Sequence, residues 1–224
     1  MSESLINTIY LAIAFLILFG SAELIYHKTK LKCEFTRKYV HIITGLITLL
    51  FPLLIGNHWL VLFLCGSFFV ILLLSIKVNM LPSINNVDRV SRGSILYPIT
   101  IYLCYLVYQE QAQYMYFYIP VLTLALADPI ACLVGKKFPR VPFTTFGNRK
   151  TLSGSLGFLG MALLISIITM SMLETMEWKE ILITAICVAV FTAIAEAIAH
   201  KGYDNITIPG SAILALVLVS KFLI

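Results

Sequence analysis

Long apolar runs separated by short polar connections dominate the sequence. Eight such runs extend approximately over 5–26, 39–55, 59–76, 94–108, 114–134, 153–173, 181–199 and 208–224. A helix needs about 20 mostly apolar residues to cross the hydrocarbon core of a bilayer. The pattern therefore predicts an all-α fold, a polytopic transmembrane helical bundle of about eight spans, with a range of about seven to nine for this length. The runs 39–55 and 94–108 are short for a full span, which leaves open a re-entrant segment or a locally thinned bilayer.

Composition excludes a soluble fold. Of the 224 residues, 60% are hydrophobic and 12% are charged, whereas soluble domains are about 45 to 50% apolar and about 25% charged. We therefore expect residues 1–224 to form a single integral membrane domain. The five cysteines show no CxxC spacing, and we interpret them as packing residues.

Basic residues predict the orientation in the membrane. The connections 27–38, 77–93 and 135–152, together with Lys201, hold fourteen of the sixteen Lys and Arg residues. The positive-inside rule places these connections in the cytosol and both termini outside, and we expect the membrane to be a bacterial inner membrane. The net charge of +5 is spread over short loops, so nucleic acid is not an expected partner.

Ionisable residues inside apolar runs lie close to the predicted cytosolic ends. They are Glu23, His41, Asp128, Glu196 and His200. Such residues are costly in a bilayer and usually functional. Carboxylates within reach of Lys and Arg at a membrane surface suit a nucleoside triphosphate with Mg²⁺, and the adjacent lipid suits an alcohol with an apolar tail.

The segment ADPIACLVGKKF is the most informative local pattern. Pro129 disfavours helical geometry at Asp128 and is expected to break the helix and free nearby carbonyl groups. Lys136 and Lys137 follow within a few turns and suit phosphate. The alternative is that Asp128 only caps a half-helix or pairs with a lysine.

The segment NRKTLSGSLGFLG predicts a helix start that can bind an anion. Lys150 and Thr151 precede it, and Gly154 and Ser155 lie in its first turn. A helix N-terminus offers free N–H groups and a partial positive charge. The alternative is that the glycines only allow close helix packing, and this is the role we expect for Gly160.

Two further segments carry candidate residues. In AEAIAHKGYDNITIP, Glu196 and His200 are spaced for one helical face, but HExxH is absent and zinc is not favoured. Asp204 follows on the same side of the membrane as Asp128, although it can also simply start a turn. In RKYVHIITG, Arg37 and His41 share one helical face. The alternative is that the basic residues only anchor the helix at the membrane surface and that His41 is a structural histidine.

Taken in chain order, these segments resemble the CTP-dependent phytol, polyprenol and dolichol kinase family: RKYVHIITG, the basic RGSILYP, ADPIACLVGKKF, KTLSGS, and Glu196 with DNITIP. The resemblance implies a membrane enzyme that transfers the γ-phosphate of CTP to a long-chain isoprenoid alcohol with a divalent cation. Ala127 stands where the family more often has Gly, and Pro139 follows Phe138 where Gly is also frequent. Neither difference removes a charged group.

The resemblance also implies roles for individual residues. Asp128 and Asp204 are implied to bind the metal ion or to act as the general base, and Glu196 is implied to support them. The implied nucleotide and phosphate contacts are Arg37, Lys38, His41, Arg92, Lys136, Lys137, Lys150, Thr151, Gly154, Ser155 and Asn205. Mg²⁺ or another divalent cation is the expected cofactor, and CTP and a membrane lipid alcohol are the expected partners.

Three alternatives stay open. A CDP-lipid synthase shares the Asp, basic and KT-x-x-G series, but its later KD, HGG and DR signature is absent from this sequence. A transporter of anionic solutes predicts polar residues in the outer halves of the helices, which are almost wholly apolar here. Diacylglycerol is not excluded as a phosphate acceptor.

Overall fold

The computed structural model describes residues 2–29, 32–78, 80–86, 92–146 and 148–222. Helices make up nearly all of this part of the chain. The helices are α1 (Glu3–Thr29), α2 (Cys33–Thr48), α3 (Phe51–Leu54), α4 (His58–Lys77), α5 (Pro82–Asn85), α6 (Gly93–Gln111), α7 (Met115–Leu122), a π-helical segment (Thr123–Ala127), α8 (Asp128–Lys137), α9 (Leu152–Leu173), α10 (Trp178–Ile198) and α11 (Asp204–Phe222). Two strands complete the described elements, β1 (Pro142–Thr145) and β2 (Asn148–Thr151).

Seven helical segments of the described chain are long and apolar enough to cross a membrane. They are Glu3–Thr29, Cys33–Leu54, His58–Lys77, Met115–Lys137, Leu152–Leu173, Trp178–Ile198 and Asp204–Phe222. The predicted all-α polytopic bundle is confirmed, with this count at the lower end of the predicted range. The apolar run 94–108 corresponds to helix α6, which is not among these seven. Helix α6 has 19 residues and holds Pro98, but its tyrosines and the polar residues of its last turn lower its hydropathy. The orientation of the termini stays a prediction.

The second span is longer than the sequence pattern predicted. Helix α2 begins at Cys33, six residues before the apolar run, because Lys and Arg are good helix formers and do not end a helix. The early start is fixed by Thr36, whose hydroxyl donates to Ser83 O at 2.6 Å. With α3, the helical segment covers the 22 residues Cys33–Leu54, which is long enough for a full span.

A small β-hairpin joins α8 to α9, where the sequence indicated only a basic loop. Strands β1 and β2 are antiparallel, and Phe143 pairs with Lys150 while Thr144 pairs with Arg149. Alternate residues of a strand point to opposite faces. The hairpin therefore separates its two basic side chains: Lys150 is half-buried, whereas Arg149 is exposed.

Glycines bring α8 and α9 into close contact below the hairpin. A Cβ atom added at Gly154 would lie 2.9 Å from Ala131 O, and one added at Gly135 would lie 2.7 Å from Thr151 Oγ1. Gly157 faces Val134 in the same contact. By contrast, an added Cβ at Gly160 would meet nothing within 4 Å. The packing role expected for Gly160 was wrong, and it belongs to Gly154 and Gly157.

We expect Gly154→Ala to lower the melting temperature in detergent, because the added methyl group collides with backbone rather than with a flexible side chain. Overpacking of this kind costs about 1 to 3 kcal/mol. Gly160→Ala in the same helix is the matched control, and it should leave the melting temperature unchanged or raise it, since Ala favours helix by about 1 kcal/mol. Equal shifts for the two variants would contradict the close α8–α9 contact.

Candidate functional site

One cavity of about 730 Å³ lies among the cytosolic ends predicted for the helices. Its lining includes twelve of the fourteen predicted site residues: Arg37, Lys38, His41, Asp128, Lys136, Lys150, Thr151, Gly154, Ser155, Glu196, Asp204 and Asn205. These residues are widely separated in sequence and belong to α2, α8, the hairpin, α9, α10 and α11. The fold thus brings the predicted residues together, while their individual roles stay predictions.

Three carboxylates from three different spans come together in the cavity. Asp128 is the first residue of α8 and Asp204 the first residue of α11, whereas Glu196 lies in the last turn of α10. The Asp128 carboxylate interacts electrostatically with Asp204 and Glu196, and also with Lys150 and Lys38. Like charges gathered in a low-dielectric region repel one another. The group is therefore balanced by its lysines and suited to a further cation.

Lys150 is the most constrained basic residue of the cavity. Its Nζ lies 2.6 Å from Glu196 Oε1, and the side chains of Lys150 and Glu196 are 18% and 9% exposed. The same Nζ also donates to the backbone carbonyl of Glu196. Ser155 Oγ donates to the other carboxylate oxygen of Glu196 at 3.2 Å. The hairpin, the start of α9 and the end of α10 are therefore tied together by one buried ion pair.

The start of α9 is an internally capped helix N-terminus. Thr151 Oγ1 accepts a hydrogen bond from the Gly154 N–H at 3.1 Å, as N-cap residues do. Gly154 is also packed against α8, so the close-packing alternative for this glycine describes the structure. The positive end of the helix dipole still faces the cavity, and Thr151, Gly154 and Ser155 line it.

The helix around Asp128 is continuous, so the expected break at Pro129 was wrong. Asp128 has α-helical angles, φ −64° and ψ −48°, and a π-helical segment precedes it. A π turn pairs each carbonyl with the residue five positions on. For Leu124 that residue is Pro129, which has no N–H. The expected free carbonyl is therefore present, and His41 Nε2 lies 3.0 Å from Leu124 O. His41 fixes this turn beside Asp128.

Two predicted phosphate contacts lie outside the cavity lining. Arg92 donates from Nη1 to the Tyr203 hydroxyl at 2.8 Å, and its backbone N–H donates to Lys201 O at 3.0 Å. Arg92 therefore joins the start of α6 to the turn before Asp204. Lys137 lies over the Phe138 ring, 5.4 Å from its centroid. Neither side chain is brought to the carboxylates in this conformation.

Two other polar residues singled out by the sequence have different positions from those expected. Glu23 lies away from the cavity, and its Oε1 accepts from the Ser83 N–H at 3.1 Å, which anchors α5 to α1. Helix α10 ends at Ile198, so His200 does not share a helical face with Glu196, and that expectation was wrong. The His200 ring instead stacks on Phe146, with centroids 5.3 Å apart.

The sequence patterns missed several residues of the cavity lining. They are Asn148 and Arg149 of the hairpin and Lys201 before α11. His200, which the sequence did indicate, also lines the cavity. Arg149 was recognisable only as the neighbour of Lys150, since no pattern indicated the hairpin. With these residues, six Lys and Arg side chains line the cavity against three carboxylates. One of the six, Lys136, is paired with Glu34 outside the lining at 3.2 Å, so five basic side chains face the three carboxylates. The surplus of positive charge favours an anionic ligand.

The donor set fits a magnesium ion shared with a ligand. Among the described residues, no three His, Cys, Asp or Glu side chains are grouped closely enough to hold a metal ion by themselves. Mg²⁺ is usually bound by one or two carboxylates, with phosphate oxygens and water completing its octahedral shell. Asp128 and Asp204 meet that requirement when a triphosphate is present, and they would not form a complete site alone.

Comparison with known proteins identifies the family. No family model matches the chain, and no solved structure matches it. A phytol kinase from Synechocystis sp. is 32% identical over 198 residues, which are 87% of this chain and 84% of that protein. The chain belongs to the phytol and polyprenol kinase family. The resemblance predicted from the sequence segments is thereby confirmed, and this member of the phytol and polyprenol kinase family is an integral membrane lipid-alcohol kinase.

Proposed function

We propose that the protein transfers the γ-phosphate of CTP to a long-chain isoprenoid alcohol, with Mg²⁺ held between Asp128, Asp204 and the nucleotide. The observation that carries the proposal is the cavity of about 730 Å³, whose charged end is continuous with apolar walls. A triphosphate carries about four negative charges, and about two remain when Mg²⁺ is bound. Lys136 is paired with Glu34, and the five other basic side chains of the lining exceed its three carboxylates by two charges, which matches that remainder. The choice of CTP rests on the family resemblance.

The proposed chemistry needs little covalent participation by the protein. The alcohol oxygen attacks the γ-phosphorus, the bond to the bridging oxygen breaks, CDP leaves, and the alcohol proton passes to Asp128 or Asp204. A divalent cation, when bound, neutralises charge on the phosphate oxygens. Lys150 and Arg37 orient the phosphates, and Glu196 holds Lys150 in place at 2.6 Å. Positioning and charge neutralisation supply most of the rate enhancement in such transfers.

Labelled nucleotide distinguishes this reaction from its closest alternative. Purified protein in lipid vesicles is supplied with phytol, geranylgeraniol, a long polyprenol or diacylglycerol, and with either γ-labelled or α-labelled CTP. A kinase yields lipid phosphate that carries only the γ label, whereas a CDP-lipid synthase incorporates the α label. Transfer of the α label, or phosphorylation of diacylglycerol alone, would contradict the proposal. ATP and GTP in place of CTP test the nucleotide.

We further propose that the active site faces the cytosol of a bacterial inner membrane, since the positive-inside rule assigns the basic connections to that side. Single cysteines at Arg140 and Thr175, in a background without the native cysteines, test this in sealed vesicles. Both positions are exposed, and Thr175 avoids Glu177, which forms the capping box of α10. We expect a membrane-impermeant thiol reagent to label the two positions from opposite sides. Labelling from the same side would overturn the orientation.

A further inference from the structure

The cavity extends from its charged end into an apolar chamber between α1, α2, α4 and α6. The walls of this apolar chamber are Phe15 and Phe19 of α1 and Leu64, Cys65, Phe68 and Leu72 of α4. On α4 these positions repeat at intervals that keep them on one helical face. None of the six carries a charge, and all six are buried. The charged site and the apolar chamber are therefore two parts of one cavity.

One face of the second span runs the length of this space. Arg37, His41, Thr44, Thr48 and Phe51 all line the cavity, and they follow one another at three- or four-residue intervals. At about 1.5 Å per residue, the distance from Arg37 to Phe51 is about 21 Å. The face changes from basic to hydroxyl-bearing to aromatic along that distance. A ligand that fits it has a charged or polar head and a long apolar tail.

A cluster of aromatic rings closes the far end of the apolar chamber. The rings of Phe15 and Phe68 meet edge to face with centroids 5.1 Å apart, and those of Phe15 and Phe51 do so at 6.2 Å. Phe51 in turn stacks on Phe117 at 6.5 Å. The chamber thus has a floor as well as walls.

Two observations indicate that this space is built for a ligand. Protein interiors rarely contain voids much larger than a water molecule, because the lining atoms lose their dispersion contacts. In addition, the Thr44 hydroxyl is buried without a hydrogen-bond partner among the described residues, although Thr36 and Thr48 of the same helix bond to carbonyls of the preceding turn. Thr44 lies between the charged end and the apolar chamber, where the head of an amphipathic ligand meets its tail.

We propose that the apolar chamber binds the tail of the acceptor alcohol, and that Phe15, Phe51 and Phe68 limit the length of tail that can be enclosed. The Thr44 hydroxyl binds the oxygen at the head of that tail. The inference rests on the proposed function and adds the acceptor class: short isoprenoid alcohols of the phytol and geranylgeraniol type, rather than dolichol. A tail much longer than the chamber has to leave it between helices.

The apolar chamber distinguishes alcohols by how well their tails fit, because the tails do not have to be transferred out of water. The acceptor arrives from the bilayer, whose lipid tails are as apolar as the leucine side chains that line the chamber. Added tail length therefore contributes to binding only while it fills space within the chamber. Discrimination should appear as a limit on length, which makes the length of the best substrate the quantity to measure.

The first test narrows the apolar chamber. Cys65→Phe places a ring in it, and Leu74→Phe on the opposite, 50% exposed face of α4 is the matched control. If the added ring hinders the tail as much as an extra group hinders packing in a protein core, the KM for phytol should rise by roughly 5- to 100-fold. The KM for CTP should stay unchanged in both variants. An unchanged KM for phytol in Cys65→Phe would overturn the assignment of the chamber.

The second test enlarges the apolar chamber and should extend, rather than restrict, the range of alcohols that bind. Phe68→Ala should shift the longest well-used alcohol to a longer one, whereas Phe63→Ala, on the 70% exposed side of α4, should not. Binding is also measured without nucleotide, as the rise in melting temperature produced by alcohols of increasing length. That rise should level off at a shorter alcohol in the wild type than in Phe68→Ala. Leu64→Ala at the same wall replaces Phe68→Ala if the latter does not fold.

These measurements distinguish a failure of the proposed chamber from a failure of the proposed reaction. Failure of the wild type to transfer the γ label to any alcohol would overturn the proposed function, while the melting series would still test the chamber. Transfer to alcohols of every length with equal efficiency, and an equal rise in melting temperature for all of them, would leave the proposed function standing and overturn the length limit.

Discussion

Replacing Asp128 with asparagine is expected to reduce phosphoryl transfer by roughly 100- to 1,000-fold or more, because the variant loses one of the two charges proposed to hold the cation against the phosphates. Asparagine has nearly the same shape, so the packing of α8 is kept. The Asp128 carboxylate interacts with Asp204 and Glu196, and removing it relieves repulsion among like charges. The melting temperature should therefore be unchanged or slightly higher. Turnover is measured with γ-labelled CTP and stability in the same detergent.

Two matched variants show whether the effect is specific. Asp204→Asn should give a comparable loss, and its side-chain oxygen can still accept the Asn205 N–H bond that spans 3.0 Å in the native protein. Glu23→Gln neutralises another carboxylate of a membrane span, but one that anchors α5 rather than lining the cavity. We expect it to stay active. Full turnover in Asp128→Asn, or an equal loss in Glu23→Gln, would contradict the roles proposed for the two aspartates.

The spans were predictable from the sequence because a bilayer imposes a minimum length of apolar helix. Local segments also indicated most of the charged residues that line the cavity, since charged groups are rare inside membrane spans and stand out there. The start of α2 at Cys33 was not predictable in the same way. Its first turns are polar, and they are held to the rest of the fold by a bond from Thr36 to Ser83, which lies 47 residues away.

The missed features depend on long-range contacts or on competing local preferences. The hairpin at Pro142–Thr151 is stabilised by pairing, which a four-residue strand does not reveal by itself. The residue before a proline usually avoids α-helical angles, yet Asp128 adopts them because a π turn precedes it. His41, 83 residues away, satisfies the resulting carbonyl at Leu124. The Lys150–Glu196 pair likewise joins residues 46 positions apart.

That pair changes what a substitution of Lys150 is expected to do. Lys150→Met removes a proposed phosphate contact, and a charge-assisted contact is worth about 1.5 to 3 kcal/mol. The dipole at the start of α9 is kept in this variant, so the use of CTP should weaken by roughly 10- to 150-fold, at about 1.4 kcal/mol per decade. The same variant also leaves Glu196, which is 7% exposed, without its counter-charge. An unpaired buried charge costs about 3 to 5 kcal/mol of stability.

A double variant separates the two effects. In Lys150→Met/Glu196→Gln the buried group is neutral, and glutamine can still accept the Ser155 hydroxyl that now bonds to Glu196 at 3.2 Å. The melting temperature should therefore return most of the way to the wild-type value, while kcat/KM for CTP stays low. The KM for the alcohol should change little, because its tail binds in the apolar chamber. Glu196→Gln alone completes the double-mutant cycle, together with the wild type, Lys150→Met and the double variant. If the double variant regained wild-type use of CTP, Lys150 would be only the structural partner of Glu196, and the phosphate would have to be held by the other basic residues of the cavity.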